Sequence, residues 1–217
     1  ASDSAKYWNE HKPTTKTDKE VTSYRSLIIA GNSPMGKKLA KEANDGTLTW
    51  KDLNDAKWGL ESTSSAAGYM YPSQWLTENF KHSIRDLKNT VTMDSYDSAM
   101  AQLASGQIDV MPEYADARMD DATKWTTTFG AKESIWDDTN VIGVTPAIAN
   151  DGIMVSEKSK IMTADFKKAL SAAIKDMAKT DEGKKVIAIY SHDGYVDSTK
   201  ADYKTAIKVA NSMSKAN

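Results

Sequence analysis

The sequence predicts an α/β fold on three grounds. Short β-branched, apolar runs alternate with segments whose apolar residues recur at helical spacing, as in packed layers of strands and helices. The links between them are brief and rich in Gly, Asn, Ser and Pro, the residues that end elements. At 217 residues, 40% hydrophobic and 27% charged, the chain has an ordinary globular balance and enough length for one large domain or two lobes, each with a core.

Residues 1–23 are polar and rich in Thr and Lys, which reads as an irregular lead-in. Tyr24-Arg25-Ser26-Leu27-Ile28-Ile29-Ala30 is a buried strand stopped by Gly31-Asn32-Ser33-Pro34. Residues 35–43 are helical up to the turn signal Asn44-Asp45-Gly46, and Thr49-Trp50-Lys51-Asp52-Leu53 is a short capped turn. Lys57-Trp58-Gly59-Leu60 is a brief strand, and Ser62-Thr63-Ser64-Ser65 is a hydroxyl-rich turn opening a helix that Pro72 resets. A strand at 91–93 leads to an amphipathic helix over 95–106, which Gly106 ends. Ile108-Asp109-Val110-Met111-Pro112 is the next strand, and residues 118–140 are mixed and polar. Strands follow at 141–144 and 152–155. Thr163 caps a helix running to about 179, with Phe166, Leu170, Ala173, Ile174 and Met177 at helical spacing. Shorter helices are predicted over 181–190 and 202–214.

Composition removes whole classes of function. With 28 basic and 30 acidic residues the formal charge is −2, so no global field recruits nucleic acid. There is no cysteine, hence no disulfide, thiolate nucleophile or Cys-type zinc site. No stretch approaches the ~20 apolar residues of a membrane span. The start Ala1-Ser2-Asp3-Ser4-Ala5-Lys6 lacks a signal-peptide apolar region, so any targeting sequence is expected to be separate from this part. His11, His82 and His192 have no partner at helical spacing, and neither G-x-S-x-G nor H-E-x-x-H occurs, so an enzyme is not expected.

The turn Ser62-Thr63-Ser64-Ser65 carries the strongest chemical signal. The first turn of a helix presents backbone N–H groups without helical partners and the positive end of the helix dipole. Hydroxyls add donors, and small side chains let an oxyanion approach the backbone. Alone, such a turn is more often a structural cap. Its order along the chain adds weight: Ser95-Tyr96-Asp97 opens a second helix, and Ile108-Asp109-Val110 runs into Glu113, Tyr114 and Asp116, which brings several strand ends together.

These features resemble the phosphate/phosphite/phosphonate-binding family of ABC-transporter substrate-binding proteins. The resemblance rests on Leu60-Glu61-Ser62-Thr63-Ser64-Ser65 with Gly68-Tyr69 and Pro72; on Ser95-Tyr96-Asp97-Ser98-Ala99 with Leu103, Gly106 and Asp109-Val110; on Asn150-Asp151-Gly152-Ile153; and on Asp181-Glu182-Gly183-Lys184 leading to Gly194-Tyr195 and Asp202-Tyr203. It covers roughly residues 24–210. The family implies a two-lobed architecture of the type II periplasmic-binding-protein kind, with a mixed sheet and flanking helices in each lobe. It implies that Ser62, Thr63 and Ser64 hold the oxyanion, with Ser65 beside them. Tyr96 stands where such proteins often place a ligand-touching His, and Tyr114 is a candidate for the cleft wall. Asp116 and Asp151 match acidic positions that meet the amine of a phosphonate ligand; read without the resemblance, such residues are more often solvated caps or turn residues.

The family's opening β-α-β segment has no counterpart in residues 1–23, so the first lobe is expected to be incomplete. On this reading residues 31–147 form the second lobe, and 1–30 with 148–217 the remainder of the first. The implied role is extracytoplasmic capture of a phosphonate, phosphite, phosphate or phosphate ester, without a cofactor, and delivery to an ABC permease in the membrane. A lipid anchor on the full-length protein is compatible with it. The alternative is a ligand-sensing domain of a regulatory or receptor protein built on the same lobes. Asp109, Tyr69 and Tyr71 read as structural, and Trp125 and Trp136 as either packing or flanking the opening.

Overall fold

The computed structural model describes residues 3–214; Ala1, Ser2 and residues 215–217, at the ends of the expected lobe ranges, lie outside the described residues. In chain order the elements are α1 (Ala5–Glu10), β1 (Ser23–Tyr24), β2 (Ser26–Ala30), α2 (Pro34–Asp45), α3 (Trp50–Asp55) and β3 (Trp58–Leu60). A π-helical turn (Ala66–Met70) runs into α4 (Tyr71–Phe80), followed by β4 (Thr90–Thr92), α5 (Tyr96–Ala104), β5 (Val110–Tyr114), α6 (Ala117–Thr127) and α7 (Ile135–Asp138). The remainder is β6 (Asn140–Val144), β7 (Ile148–Ala149), α8 (Ala164–Met177), α9 (Asp181–Ile187) and α10 (Lys204–Ser214).

Five strands make one mixed sheet in the order β4-β3-β5-β2-β6. Strand β3 runs parallel to β4 and β5, whereas β2 is antiparallel to β5 and β6. The predicted α/β class is therefore the observed one. The alternation along β2 explains why this strand is central: Leu27 and Ile29 pack with Met100, Leu103 and Trp125, while Ile28 and Ala30 pack with Leu39, Trp58 and Leu76 on the other face. A strand buried on both faces must be apolar throughout, as Leu27-Ile28-Ile29-Ala30 is. Each fully buried large side chain contributes about 1.5–3 kcal/mol by leaving water.

Side-chain caps start the helices where the sequence places Ser and Thr. Ser33 accepts from the Gly36 N–H, Thr49 from Asp52, Ser95 from Ser98 and Thr163 from Phe166. Three local expectations are corrected. The lead-in contains α1, capped by Ser4 and holding the buried Trp8; from it the Asn9 amide donates to the Val141 carbonyl (2.9 Å) and accepts from its N–H (2.8 Å), pairing the edge of β6. The capped turn at 49–53 continues as α3. Residues 118–140 hold α6 and α7, whose inward stripe includes Arg118, Asp121 and Asp138 and so carries no apolar periodicity.

The chain divides into two compact units. One runs as far as Ala149 and resumes at Thr205, so it contains the five-stranded sheet, and β2 with it. The other is Asn150–Lys204, with α8 and α9. The strand expected at 152–155 does not form: these residues have no ladder partner.

Candidate functional site

Because β3, β4 and β5 are parallel, their C-terminal ends lie along one edge of the sheet. The 62–65 turn leaves β3, Ser95 and Tyr96 follow β4, and Tyr114 ends β5. This is the edge at which α/β sheets bind ligands. Strand β2 enters there too, since Ser26 lies opposite Tyr114, and its hydroxyl donates to the Ala67 carbonyl (2.7 Å), fixing the start of the π-helical turn over the sheet.

The turn is built by its own hydroxyls. Ser65 N–H donates to the Ser62 carbonyl (2.9 Å), and the Ser62 and Ser64 hydroxyls lie 3.1 Å apart. Ser65 Oγ accepts from the Gly68 N–H (3.0 Å), an N-cap bond, and contacts the Tyr96 hydroxyl at 3.2 Å. The Met70 N–H reaches the Ser65 carbonyl (2.9 Å), the wide spacing of a π turn, before Tyr71-Pro72 restores α geometry. Gly68 is required here: a Cβ would lie 2.4 Å from the Cβ and Cγ of Glu61, so only glycine lets the turn fold against its helix. Ser62, Thr63 and Ser64 are exposed, and Ser65 is half-buried.

The structure brings Ser62, Thr63, Ser64, Ser65, Tyr96 and Tyr114 together. Tyr96 and Tyr114 stack edge to face with ring centroids 5.6 Å apart, and the Tyr114 hydroxyl donates to Asp120 (3.1 Å). Burial pushes the Tyr96 hydroxyl up to about 12, opposed by its Ser65 bond and reinforced by Glu113 and Glu61. Burial and then Glu113 raise that of Tyr114. Both phenols therefore remain protonated donors at neutral pH.

Asp116 and Asp151 are placed differently. Asp116 caps α6 and forms a buried bidentate pair with Arg118 (Nε–Oδ1 2.9 Å, Nη2–Oδ2 2.8 Å), and Thr14 donates to its Oδ2 (2.9 Å). Its carboxylate is thus occupied within the fold. Asp151 is exposed and belongs to the Asn150–Lys204 unit. Trp125 is fully buried and donates to Asp138, and Trp136 lies under the Arg118 guanidinium, so both serve packing. Asp109 ties Ser33 to the Lys57 N–H and is structural.

Two carboxyls that the sequence places beside the turn, without a role, are set apart by their burial. Glu113 is fully buried, with neither carboxyl oxygen hydrogen-bonded, and Glu61 has one buried oxygen without a partner. Burial raises the Glu61 carboxyl, with Asp94 adding to it. The signal for Glu113 lay in period two: Met111 and Glu113 share a face of β5, and Met111 is core. Among the described residues no group of three or more His, Asp or Glu is placed to hold a metal ion.

A family model described as the periplasmic substrate-binding protein of phosphonate ABC transporters matches residues 9–203. No curated protein sequence matches the chain. Among solved structures, the chain is similar to the binding-protein component of a phosphonate ABC transporter from Pseudomonas aeruginosa (TM-score 0.57, 16% identity, 89% of this chain and 59% of that one). It is also similar to PhnD1 from Prochlorococcus marinus solved with methylphosphonate (0.59, 17%, 89% and 68%) and to a Xanthomonas citri protein solved with ATP (0.62, 12%, 90% and 67%). At these identities the likeness is one of fold. The chain spans less than two thirds of the Pseudomonas protein's length.

Proposed function

The chain belongs to the family of periplasmic substrate-binding proteins of phosphonate ABC transporters, and from that membership we propose that its 62–65 turn captures the oxyanion of a phosphonate, phosphite, phosphate or phosphate ester. The observation that carries this reading is the convergence of three parallel strand ends, which sets a hydroxyl-rich helix start beside the Tyr96 phenol, with the Tyr114 ring packed against it. Oxyanions are held by several charge-assisted hydrogen bonds that replace their water, and Thr63, Ser64, Ser65 and Tyr96 offer such donors on a helix dipole. The methylphosphonate and ATP bound by two proteins of this fold support the ligand class.

The captured solute is handed to an ABC permease, on the extracytoplasmic side where the family works. No described helix is long and apolar enough to cross a membrane. A lipid anchor on the full-length protein would serve to hold it near the permease. The ligand is tested by calorimetric titration of the protein with methylphosphonate, phosphite, phosphate and thiamine phosphate. Saturable one-site binding of at least one is expected, and heats of dilution alone with all four would overturn the reading.

A further inference from the structure

The oxyanion turn is surrounded by acids. Glu61 begins it, Asp94 and Asp97 lie on the segment after β4, and Glu113 is buried near the end of β5, where the Glu61 charge reaches it. The cations on neighbouring elements are already engaged. Lys124 pairs with Asp97 (3.0 Å) and Asp121 (3.0 Å), Arg118 with Asp116, and Arg25 donates to the Thr145 carbonyl (2.7 Å). An anion at the turn therefore meets donors and a helix dipole, but also the charge of any neighbouring carboxylate.

Glu113 decides that balance. It lies opposite Leu27, on the sheet face covered by α5 and α6, and both its oxygens are enclosed without a hydrogen-bond partner. An ionised carboxylate in that position would be a bare buried charge, which proteins avoid by keeping the group neutral. Facing it are Asp121 and Asp97, which share Lys124, Asp116, which pairs with Arg118, Glu61 on the turn, and the phenols of Tyr96 and Tyr114. Burial, then Asp121 and Glu61, push its carboxyl up to about 9.

Resting on the reading of the turn as an oxyanion site, we propose that Glu113 serves that site as a neutral buried acid, so that anion capture is proton-linked and the anion is held only while this carboxyl keeps its proton. Glu113 touches no ligand in this arrangement. It is a positioning residue acting through charge, and it selects the protonation state of the protein that can bind. No covalent step is involved; above its pKa the carboxyl takes one proton from solvent as the anion binds.

The test is titration calorimetry with methylphosphonate from about pH 8, where the ligand's own charge has become nearly constant, to about pH 10, on the parent and on Glu113→Gln. The parent's affinity is expected to hold up to about pH 9 and then to fall toward tenfold per pH unit, with one proton taken up on binding. The neutral isostere Glu113→Gln is expected to lose that slope. Should the variant fail to fold, proton uptake by the parent near pH 10, read from the buffer dependence of the binding heat, decides alone. Zero uptake, or the same pH profile in parent and variant, would overturn the proposal while leaving the oxyanion site intact. No binding at any pH would remove the site itself.

Discussion

The sheet-containing unit and the Asn150–Lys204 unit have similar kinds of sequence and reach different ends. In the first, β2 is buried along its whole length and Trp58, Trp125 and Leu76 are enclosed. In the second, only Ala178, Gly183 and Ile187 are buried, while Met154 is 88% and Ile189 78% exposed. The helix predicted from Thr163 forms, with its cap, but none of its residues is fully buried. An apolar period states which face an element would bury, and not that a partner stands opposite it. Leu27-Ile28-Ile29 becomes a strand because β5 and β6 flank it; Ile153-Met154-Val155 has similar composition, lacks a ladder partner and stays irregular.

The contrast is broken most strongly at Trp58. This side chain is fully buried between helices and sheet, and its indole N–H donates to the Leu53 carbonyl (2.8 Å). Trp58→Ala should cost about 3–5 kcal/mol in denaturant unfolding, from lost burial and a cavity. A loss below about 1 kcal/mol would mean that this core is not the one described.

Glu113→Gln is the next largest effect and has the opposite sign. Burial pushes the folded carboxyl up to about 9 from its ordinary value of 4.5, so the folded state holds an extra proton between those values. Its contribution to stability is complete below about pH 4.5 and is lost as pH rises toward 9. Glutamine removes that loss, so the variant should exceed the parent in stability at pH 8, on the order of 1–3 kcal/mol, and the gain should vanish near pH 4. Unfolding curves at the two pH values check this, and a variant less stable than the parent at pH 8 contradicts it.

The smallest effect is expected in the other unit. Met154→Ser should move stability by no more than about 0.5 kcal/mol, because the side chain already faces water. A cost near that of a core substitution would show that this surface is covered in solution.

What the sequence made legible follows the same line. The strand Ser26–Ala30, the helix start at Thr163 and the 62–65 turn each depend on a local signal, respectively a β-branched run, a side-chain cap and a cluster of hydroxyls, whereas the break at Arg25, which sends Tyr24 into a separate ladder with β7, has none. Strand order and direction, which bring Tyr96 and Tyr114 to that turn, arise from pairings distant in sequence. Nothing local in the sequence announces that Arg118, two residues on, turns back to pair with Asp116. Glu113 was legible at the strand ends but without a role, although its alternation with Met111 marks a core face. Helix α6 was hidden by the charged residues Arg118 and Asp121 on its inward stripe.

The central claim is that the turn after β3 holds the oxyanion, and Thr63 tests it most directly because its side chain is exposed and serves no described cap. Calorimetric titration of Thr63→Ala with whichever phosphorus oxyanion binds the parent should show a loss of affinity of about tenfold or more, the worth of one charge-assisted hydrogen bond, with thermal stability unchanged. Parent-like affinity in a folded Thr63→Ala variant would contradict the account.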